Sequence, residues 1–184
     1  MIYVALLRGI NVGGNNKIDM KELKVSFENA GMHDVATYIN SGNIIFSNEI
    51  REQNELPDIL EAAILQDLDL DIRVLIRSFE EIEAVIDHLL DNWRNDKEMK
   101  SDVLFLWKEI DNRSVLDELK IRPDIEQVIY IPGAVLWSVD RKDLSKSGMS
   151  KIVGTKVYKK VTIRNVNTVR KIYALMQSAN PALE

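Results

Sequence analysis

The order in which strand-like and helix-like apolar segments follow one another restricts the fold of this chain more than any other property of its sequence. Ile2 to Leu7 is a continuous apolar run of strand length, the pattern of a central strand buried on both faces. Asp19 with Glu22 three residues on makes a capping-box-like helix start, Met20, Leu23, Phe27 and Ala30 share one helical face, and Gly31 marks the stop. Val35 to Ile39 and Ile44 to Ser47 read as a hairpin about the turn Asn40-Ser41-Gly42-Asn43. Asn54 is the expected cap of a second helix, with Pro57 in its first turn and Leu56, Leu60, Ala63, Ile64 and Leu68 at helical spacing. Leu70, Ile72, Val74 and Ile76 then alternate with Asp71, Arg73 and Arg77, which predicts a half-buried strand. Strand, helix, strand, strand, helix, strand is the order of a ferredoxin-like unit.

Ser78 with Glu81 opens a connecting helix bearing Phe79, Ile82, Ile86 and Leu89, and the charged stretch from Asp91 to Ser101 reads as a linker. The order then recurs. Val103 to Trp107 is a strand, Val115, Leu116 and Leu119 mark a short helix, and Val128 to Ile131 and Ala134 to Val139 flank a Pro132-Gly133 turn. A weaker helix around Lys151 to Tyr158 and a short strand near Val161 to Ile163 follow, and Val169, Ile172, Tyr173 and Met176 give the terminal helix its apolar face. The expected fold class is therefore α+β, a tandem repeat of two ferredoxin-like (α-β plait) units. Unit 1 spans 1–77, the connecting helix and linker 78–100, and unit 2 with its extra C-terminal helix 101–184. The two halves share an order of elements and no evident residue identity.

The inventory of reactive side chains is thin. There is no Cys, which excludes disulfides, thiolate metal sites and Cys nucleophiles, and only two His, His33 and His88, so no metal or other cofactor is expected. No apolar run reaches the roughly 18 residues of a membrane span, and no basic region followed by an apolar stretch opens the sequence, so a cytoplasmic protein without membrane contact is expected. The net charge of -5 is uneven: from Arg141 to Lys171 ten basic residues face Asp143 alone. Such asymmetry marks either an anionic partner, nucleic acid included, or a solvated basic face that balances an acidic one.

The stretch Arg8-Gly9-Ile10-Asn11-Val12-Gly13-Gly14-Asn15-Asn16-Lys17 breaks the first apolar run into a glycine-rich polar loop directly ahead of a helix. Its glycines permit left-handed backbone and close approach, and main-chain N–H groups beside a helix N-terminus suit an anion. A right-handed crossover makes strands 1 and 2 parallel, so this loop and the Asn40 to Asn43 turn fall at one end of the sheet. Arg8, Asn11, Gly13, Gly14, Lys17, Ser41 and Asn43 are the binding residues expected at this rim; the alternative is a loop whose Gly and Asn only satisfy tight turns. By the same reasoning Lys146, Ser147, Arg164 and Asn165 converge on a basic rim of the second unit, where Asn165 or Asn167 also suits the cap of the last helix.

Sharper motifs fail on their details. Gly9 and Gly14 have P-loop spacing, but Asn15-Asn16 stand where Lys and Ser/Thr belong. Ile2-Tyr3-Val4 resembles the first strand of an RNA-recognition domain, yet Asn43 to Phe46 lacks the paired aromatics that stack bases. A polymerase-like palm needs carboxylates on strand 1 and in the hairpin, and neither segment has one. Phe105, Trp107 and Trp137 suit either an aromatic platform or packing between sheets, and Ser41 and Ser147 have no evident base, so no catalytic residue is assigned.

Three blocks, Arg8-Gly9-Ile10-Asn11-Val12-Gly13-Gly14, Tyr38-Ile39-Asn40-Ser41-Gly42-Asn43 and Thr162-Ile163-Arg164-Asn165-Val166-Asn167-Thr168, resemble the signatures of the bacterial family catalogued as domain of unknown function 1697, with Val166 standing where Trp is common. The resemblance implies a tandem pair of ferredoxin-like units and brings no established activity and no catalytic residues. The reading favoured from the sequence is a non-catalytic module that binds a small phosphorylated anion at the N-terminal loop. An enzyme acting on a phosphorylated or nucleotide substrate and a nucleic-acid binder using the basic C-terminal stretch are the alternatives.

Overall fold

In the computed structural model, residues 1–11 and 17–180 are described, and the chain divides into two compact units, Met1–Ile82 with the residues from Ile172 onward, and Glu83–Lys171. Each unit is built on one four-stranded antiparallel sheet, followed by helices.

The first unit contains β1 (Ile2–Leu7), α1 (Met20–Asn29), β2 (His33–Tyr38), β3 (Asn43–Ser47), α2 (Leu56–Leu68) and β4 (Val74–Ser78), with the strands in the order β2-β3-β1-β4. β1 is central, pairing Val4 with Ile45 on one side and with Arg77 on the other, which is why its run is apolar throughout. One face, Tyr3, Ala5, Leu7, Ile44, Phe46, Val74 and Ile76, meets Leu23 and Phe27 of α1 and Leu56, Leu60 and Ile64 of α2. Phe27 stands edge-on to Phe46 with ring centroids 5.9 Å apart. α1 begins where the Asp19 carboxylate accepts the Lys21 N–H at 2.7 Å and stops ahead of the left-handed Gly31.

Four expectations for this unit are corrected. α2 is preceded by Glu55 rather than Asn54, without a side-chain cap, and ends at Asp69 in the left-handed region. The fourth strand is shorter than its alternation, because it pairs only along Tyr3 to Leu7; Leu70 and Ile72 lie outside it, and the Glu61 carboxylate accepts the Val74 N–H at 2.8 Å where pairing ends. That strand is buried on both faces. Ile39 leaves β2 with φ 48° and is exposed.

After β4 comes α3 (Phe79–His88), opened by the expected reciprocal pair: Ser78 N–H donates to Glu81 Oε2 at 2.8 Å and Glu81 N–H to Ser78 Oγ at 3.3 Å. The second unit then carries β5 (Met99–Leu106), α4 (Val115–Glu118), β6 (Glu126–Ile131), β7 (Ala134–Asp140) and β8 (Val161–Asn165), its strands ordered β6-β7-β5-β8, together with the start of α5 (Val166–Ser178), whose residues from Ile172 are assigned to the first. β5 starts four residues earlier than the apolar run, because Met99 to Asp102 extend the pairing with β7 despite their polarity. Residues 91–98, read as a linker, are fastened to this unit: Trp93 is buried with its Nε1–H on Gln127, and Arg141 Nε donates to the Asp96 carbonyl at 2.5 Å. The helix expected around Lys151 to Tyr158 is replaced by 3-10 turns at Met149–Lys151 and Tyr158–Lys160. Only Ile152 and Val157 of that stretch are buried, too few for a helical stripe, and Gly154 at φ 87° interrupts it.

The core of this unit joins Leu104, Leu106, Val135, Trp137 and Val139 to Val115, Leu119, Met149, Ile152 and Val157. Phe105 pairs with Ala134 while Trp137 pairs with Asp102, so strand alternation puts Phe105 and Trp137 on opposite faces, both buried, and they form no common platform. A residue identity between the halves also emerges. Val74-Leu75-Ile76-Arg77-Ser78 in β4 and Val161-Thr162-Ile163-Arg164-Asn165 in β8 share Val-x-Ile-Arg ahead of a helix-capping residue, and Arg77 pairs with Val4 as Arg164 pairs with Val103.

Candidate functional site

The end of the first sheet at which β1 exits is built by hydrogen bonds between two signature-bearing segments. Leu7 N–H donates to the Gly42 carbonyl at 2.9 Å, and Arg8 N–H to the Arg73 carbonyl at 3.1 Å, so the strand's exit is tied to the β2–β3 turn on one side and to the approach to β4 on the other. Asn11, at φ 52°, then acts as a clamp: its Oδ1 accepts Ile18 N–H at 3.0 Å, and its Nδ2 donates to the carbonyls of Ile18 at 3.2 Å and Asn40 at 2.9 Å. One side chain thereby closes the loop onto itself and onto the turn.

Gly42 is needed there twice over. Its φ is 73°, and a Cβ would lie 2.7 Å from Ile10 Cδ1 and 2.8 Å from Leu7 Cβ. Ile10, fully buried, thus packs over the hairpin turn. Beside it Asn43 is fully buried, donating from Nδ2 to the Tyr38 carbonyl at 3.1 Å and to Ser41 Oγ at 3.0 Å. Asn11, Ser41 and Asn43 are therefore brought together as expected, and they hold the rim's shape.

Beside this frame opens a cleft of about 840 Å³ lined by Asn11, Lys17, Asp19, Lys21, Thr37 and Asn40. Two lysines, two asparagines, a threonine and the first turn of α1 line one space, with Asp19 engaged as the helix cap. Lys17 lies in it; Arg8 does not line it, and Gly13 and Gly14 lie outside the described residues. Lys21 and Thr37 were not singled out by sequence. A position two residues past the Asp19 cap and a polar residue late in β2 were the available signals, and neither is distinctive.

At the second unit's rim the expected residues are used by the fold. Lys146 pairs with Asp143 at 3.2 Å, and Ser147 is fully buried with its Oγ accepting the Met149 N–H at 2.9 Å. Arg164 is buried, and its Nη1 donates to Thr162 Oγ1 at 3.0 Å and to the Ile163 carbonyl at 2.9 Å; burial pushes its guanidinium down to about 10. Asn165 Oδ1 caps the Thr168 N–H at 3.0 Å, while Asn167 donates to the Asn95 carbonyl at 3.0 Å, which settles the cap in favour of Asn165. Arg164 and Asn165 of the third block are thus bonded within the block, and Asn167 to the Asn95 carbonyl. Sequence reasoning missed Glu126, a buried carboxylate that accepts Arg122 N–H at 2.8 Å and Gly148 N–H. Gly148 is obligatory beneath it, since a Cβ would stand 2.4 Å from the Lys120 carbonyl oxygen.

Among the described residues no group of three or more His, Cys, Asp or Glu is placed to hold a metal ion, and no helix is long and apolar enough to cross a membrane. A family described as "Protein of unknown function (DUF1697)" matches residues 1–137. The chain is similar to a solved structure described as the conserved bacterial protein SP0830 from Streptococcus pneumoniae, with 30% identity and a TM-score of 0.81 over 95% of this chain and 98% of that one. No curated protein matches it.

Proposed function

This chain belongs to the DUF1697 family, and from that starting point we propose that it is a tandem of two ferredoxin-like units whose first unit binds a small phosphorylated anion without transforming it. The tandem reading is supported by like bonds at like places. Leu106 N–H donates to the Gly133 carbonyl at 2.9 Å and Trp107 N–H to the Lys160 carbonyl at 3.2 Å, as Leu7 does to Gly42 and Arg8 to Arg73, and the strand orders correspond.

The observation that carries the binding reading is the clamped rim: Asn11 fixes the loop against the β2–β3 turn beside a cleft that gathers Lys17 and Lys21 at the start of α1. A charge-assisted bond from an ammonium to phosphate oxygen is stronger than a neutral one, and the rising helix dipole adds to it. A non-catalytic role is supported by the side chains of the cleft: among its described lining residues the one carboxylate, Asp19, already caps α1. Calorimetric titration with inorganic phosphate, pyrophosphate and sugar phosphates tests it. Binding weakened by on the order of 1 to 3 kcal/mol in Lys17→Ala and in Lys21→Ala is expected. Affinities indifferent to both substitutions, or no heat with any of these anions, would refute it.

A further inference from the structure

The loop from β7 to β8 carries the least balanced charge in the chain. From residue 144 to residue 171 the sequence has eight basic residues and no Asp or Glu. Three of the eight have structural tasks: Lys146 pairs with Asp143, Arg164 is buried against Thr162 and Ile163, and Arg170 donates to the carbonyls of Trp93 and Leu90 at 2.7 and 3.0 Å. Lys171 sits apart on α5. That leaves Lys151, Lys156, Lys159 and Lys160, all exposed and, among the described residues, without an ion pair. Several cations elsewhere are matched locally, as in Lys24–Glu28, Arg94–Asp96, Lys100–Asp102, Arg122–Asp124 and Lys142–Asp140, and what sets this loop apart is that no acidic residue lies within the stretch.

The four lysines are displayed on a fixed backbone. Ile152 and Val157 are sunk in the core between them. Thr155 Oγ1 donates to the Ile152 carbonyl at 2.7 Å and accepts Tyr158 N–H at 3.1 Å, Lys160 N–H donates to the Val157 carbonyl at 2.8 Å, and the Lys160 carbonyl is tied to β5 through Trp107. With Ile152 and Val157 turned inward, the four lysines face solvent along ten consecutive residues of one loop. A spread of strongly hydrated point charges matches a row of phosphates better than one compact anion. Val153, 70% exposed, is the loop's one exposed large apolar residue, too little for insertion among lipids, which draws on Trp, Phe or Leu.

We propose that the Lys151–Lys160 loop is a docking surface for the phosphate backbone of a nucleic acid, bound through charge and without base readout, because the loop offers ammonium groups and no Arg, Asn or Gln fork to read base edges. It is distinct from the cleft of the first unit, and its test separates the two. Fluorescence anisotropy of a labelled single-stranded oligonucleotide of about 12 nucleotides with the full chain, over about 50 to 200 mM salt, should give a log–log slope near about -3, the value for roughly four phosphate contacts. Lys156→Ala and Lys159→Ala should each reduce the slope by about 0.7, the triple variant Lys156→Ala/Lys159→Ala/Lys160→Ala should leave binding undetectable, and Lys17→Ala should change nothing. All these lysines are exposed, so circular dichroism of each variant should match the parent. No oligonucleotide binding at the lowest salt, a slope unmoved in the triple variant, loss of binding in Lys17→Ala, or binding only to phosphatidylserine vesicles would each overturn the proposal.

Discussion

Replacing Gly42 by Ala isolates how the rim of the first unit is built. Two independent penalties apply. At φ 73° an L-residue pays the left-handed cost, about 1–2 kcal/mol. The new methyl also meets Ile10 Cδ1 at 2.7 Å and Leu7 Cβ at 2.8 Å. The first of these is the end of a side chain and can turn away, but Leu7 Cβ is fixed to a central strand, so an overpacking cost of about 1–3 kcal/mol remains. The sum, about 2–5 kcal/mol, is a large part of the stability of an ordinary domain. Gly9 supplies the internal control: its φ is 74° and, among the described residues, nothing lies within 4 Å of its would-be Cβ, so Gly9→Ala should cost only the conformational share. Urea unfolding of both variants, with slopes checked for constancy, measures the difference. In a double-mutant cycle Ile10→Ala should soften the effect of Gly42→Ala, although Ile10→Ala is itself destabilising at a buried site. Equal losses in Gly9→Ala and Gly42→Ala, or strictly additive behaviour with Ile10→Ala, would show that close approach is not what selects glycine in the turn.

Two further expectations concern other parts of the chain. Glu126→Ala removes the acceptor of Arg122 N–H and Gly148 N–H, and should destabilise by about 1–3 kcal/mol for each donor left unsatisfied, while Glu126→Gln, which keeps one carbonyl oxygen, should lose less; chemical denaturation ranks the two. The Asp96 carboxyl is held below its ordinary value by the N–H groups of Glu98 and Met99, so NMR titration should place its midpoint under 3.8. Its stabilising contribution is present above that value and is lost as pH falls through the folded midpoint.

What the sequence conveyed best was order. The continuous run of β1, the stripe of α1 and the Asn40 to Asn43 turn each gave a direct signal, because burial on two faces, burial on one helical face and positive φ demand particular residue types. What it conveyed worst was pairing that polar residues can join. Met99 to Asp102 extend β5 because β7 runs alongside them, and no periodicity announces that. In the same way Ile152 and Val157 are buried by the fold around them rather than by a helix of their own. The rim was legible as a meeting of two segments, since parallel strands exit at one end. That Asn11 and Asn43 would spend their amides on carbonyls, and that Lys21 would share the cleft with Lys17, depends on side-chain directions that spacing leaves open. The two copies of Val-x-Ile-Arg are too short and too far apart to stand out as a repeat until strand pairing aligns them.

On the tandem reading, the same corner of the two units carries opposite chemistry, and that contrast yields a last prediction. In the second unit the side chain reaching from the loop after β5 to the β6–β7 turn is Asp111, whose Oδ1 accepts Gly133 N–H at 2.8 Å and Tyr130 O–H at 3.1 Å, with burial first and then this bond pushing the Tyr130 phenol up. In the first unit it is Asn11, which must donate, because Asn40 and Ile18 present carbonyl oxygens. Asn11→Asp should keep the Ile18 N–H bond and turn both donations into contacts between a carboxylate and a carbonyl. The loss of two acceptor partners predicts about 1–3 kcal/mol at neutral pH, and the added negative charge beside Lys17 should also weaken any anion in the cleft. The facing carbonyls raise the introduced carboxyl's folded pKa above its unfolded value. The penalty is therefore fully present above the folded pKa and fades as pH falls through that value toward the unfolded one, when a protonated oxygen can again donate to a carbonyl. Stability of the variant relative to the parent, measured by urea unfolding at pH 7 and again near pH 4, should accordingly improve at the lower pH. A difference that stays constant between the two would mean that the Asn11 amide is not the donor that clamps the rim.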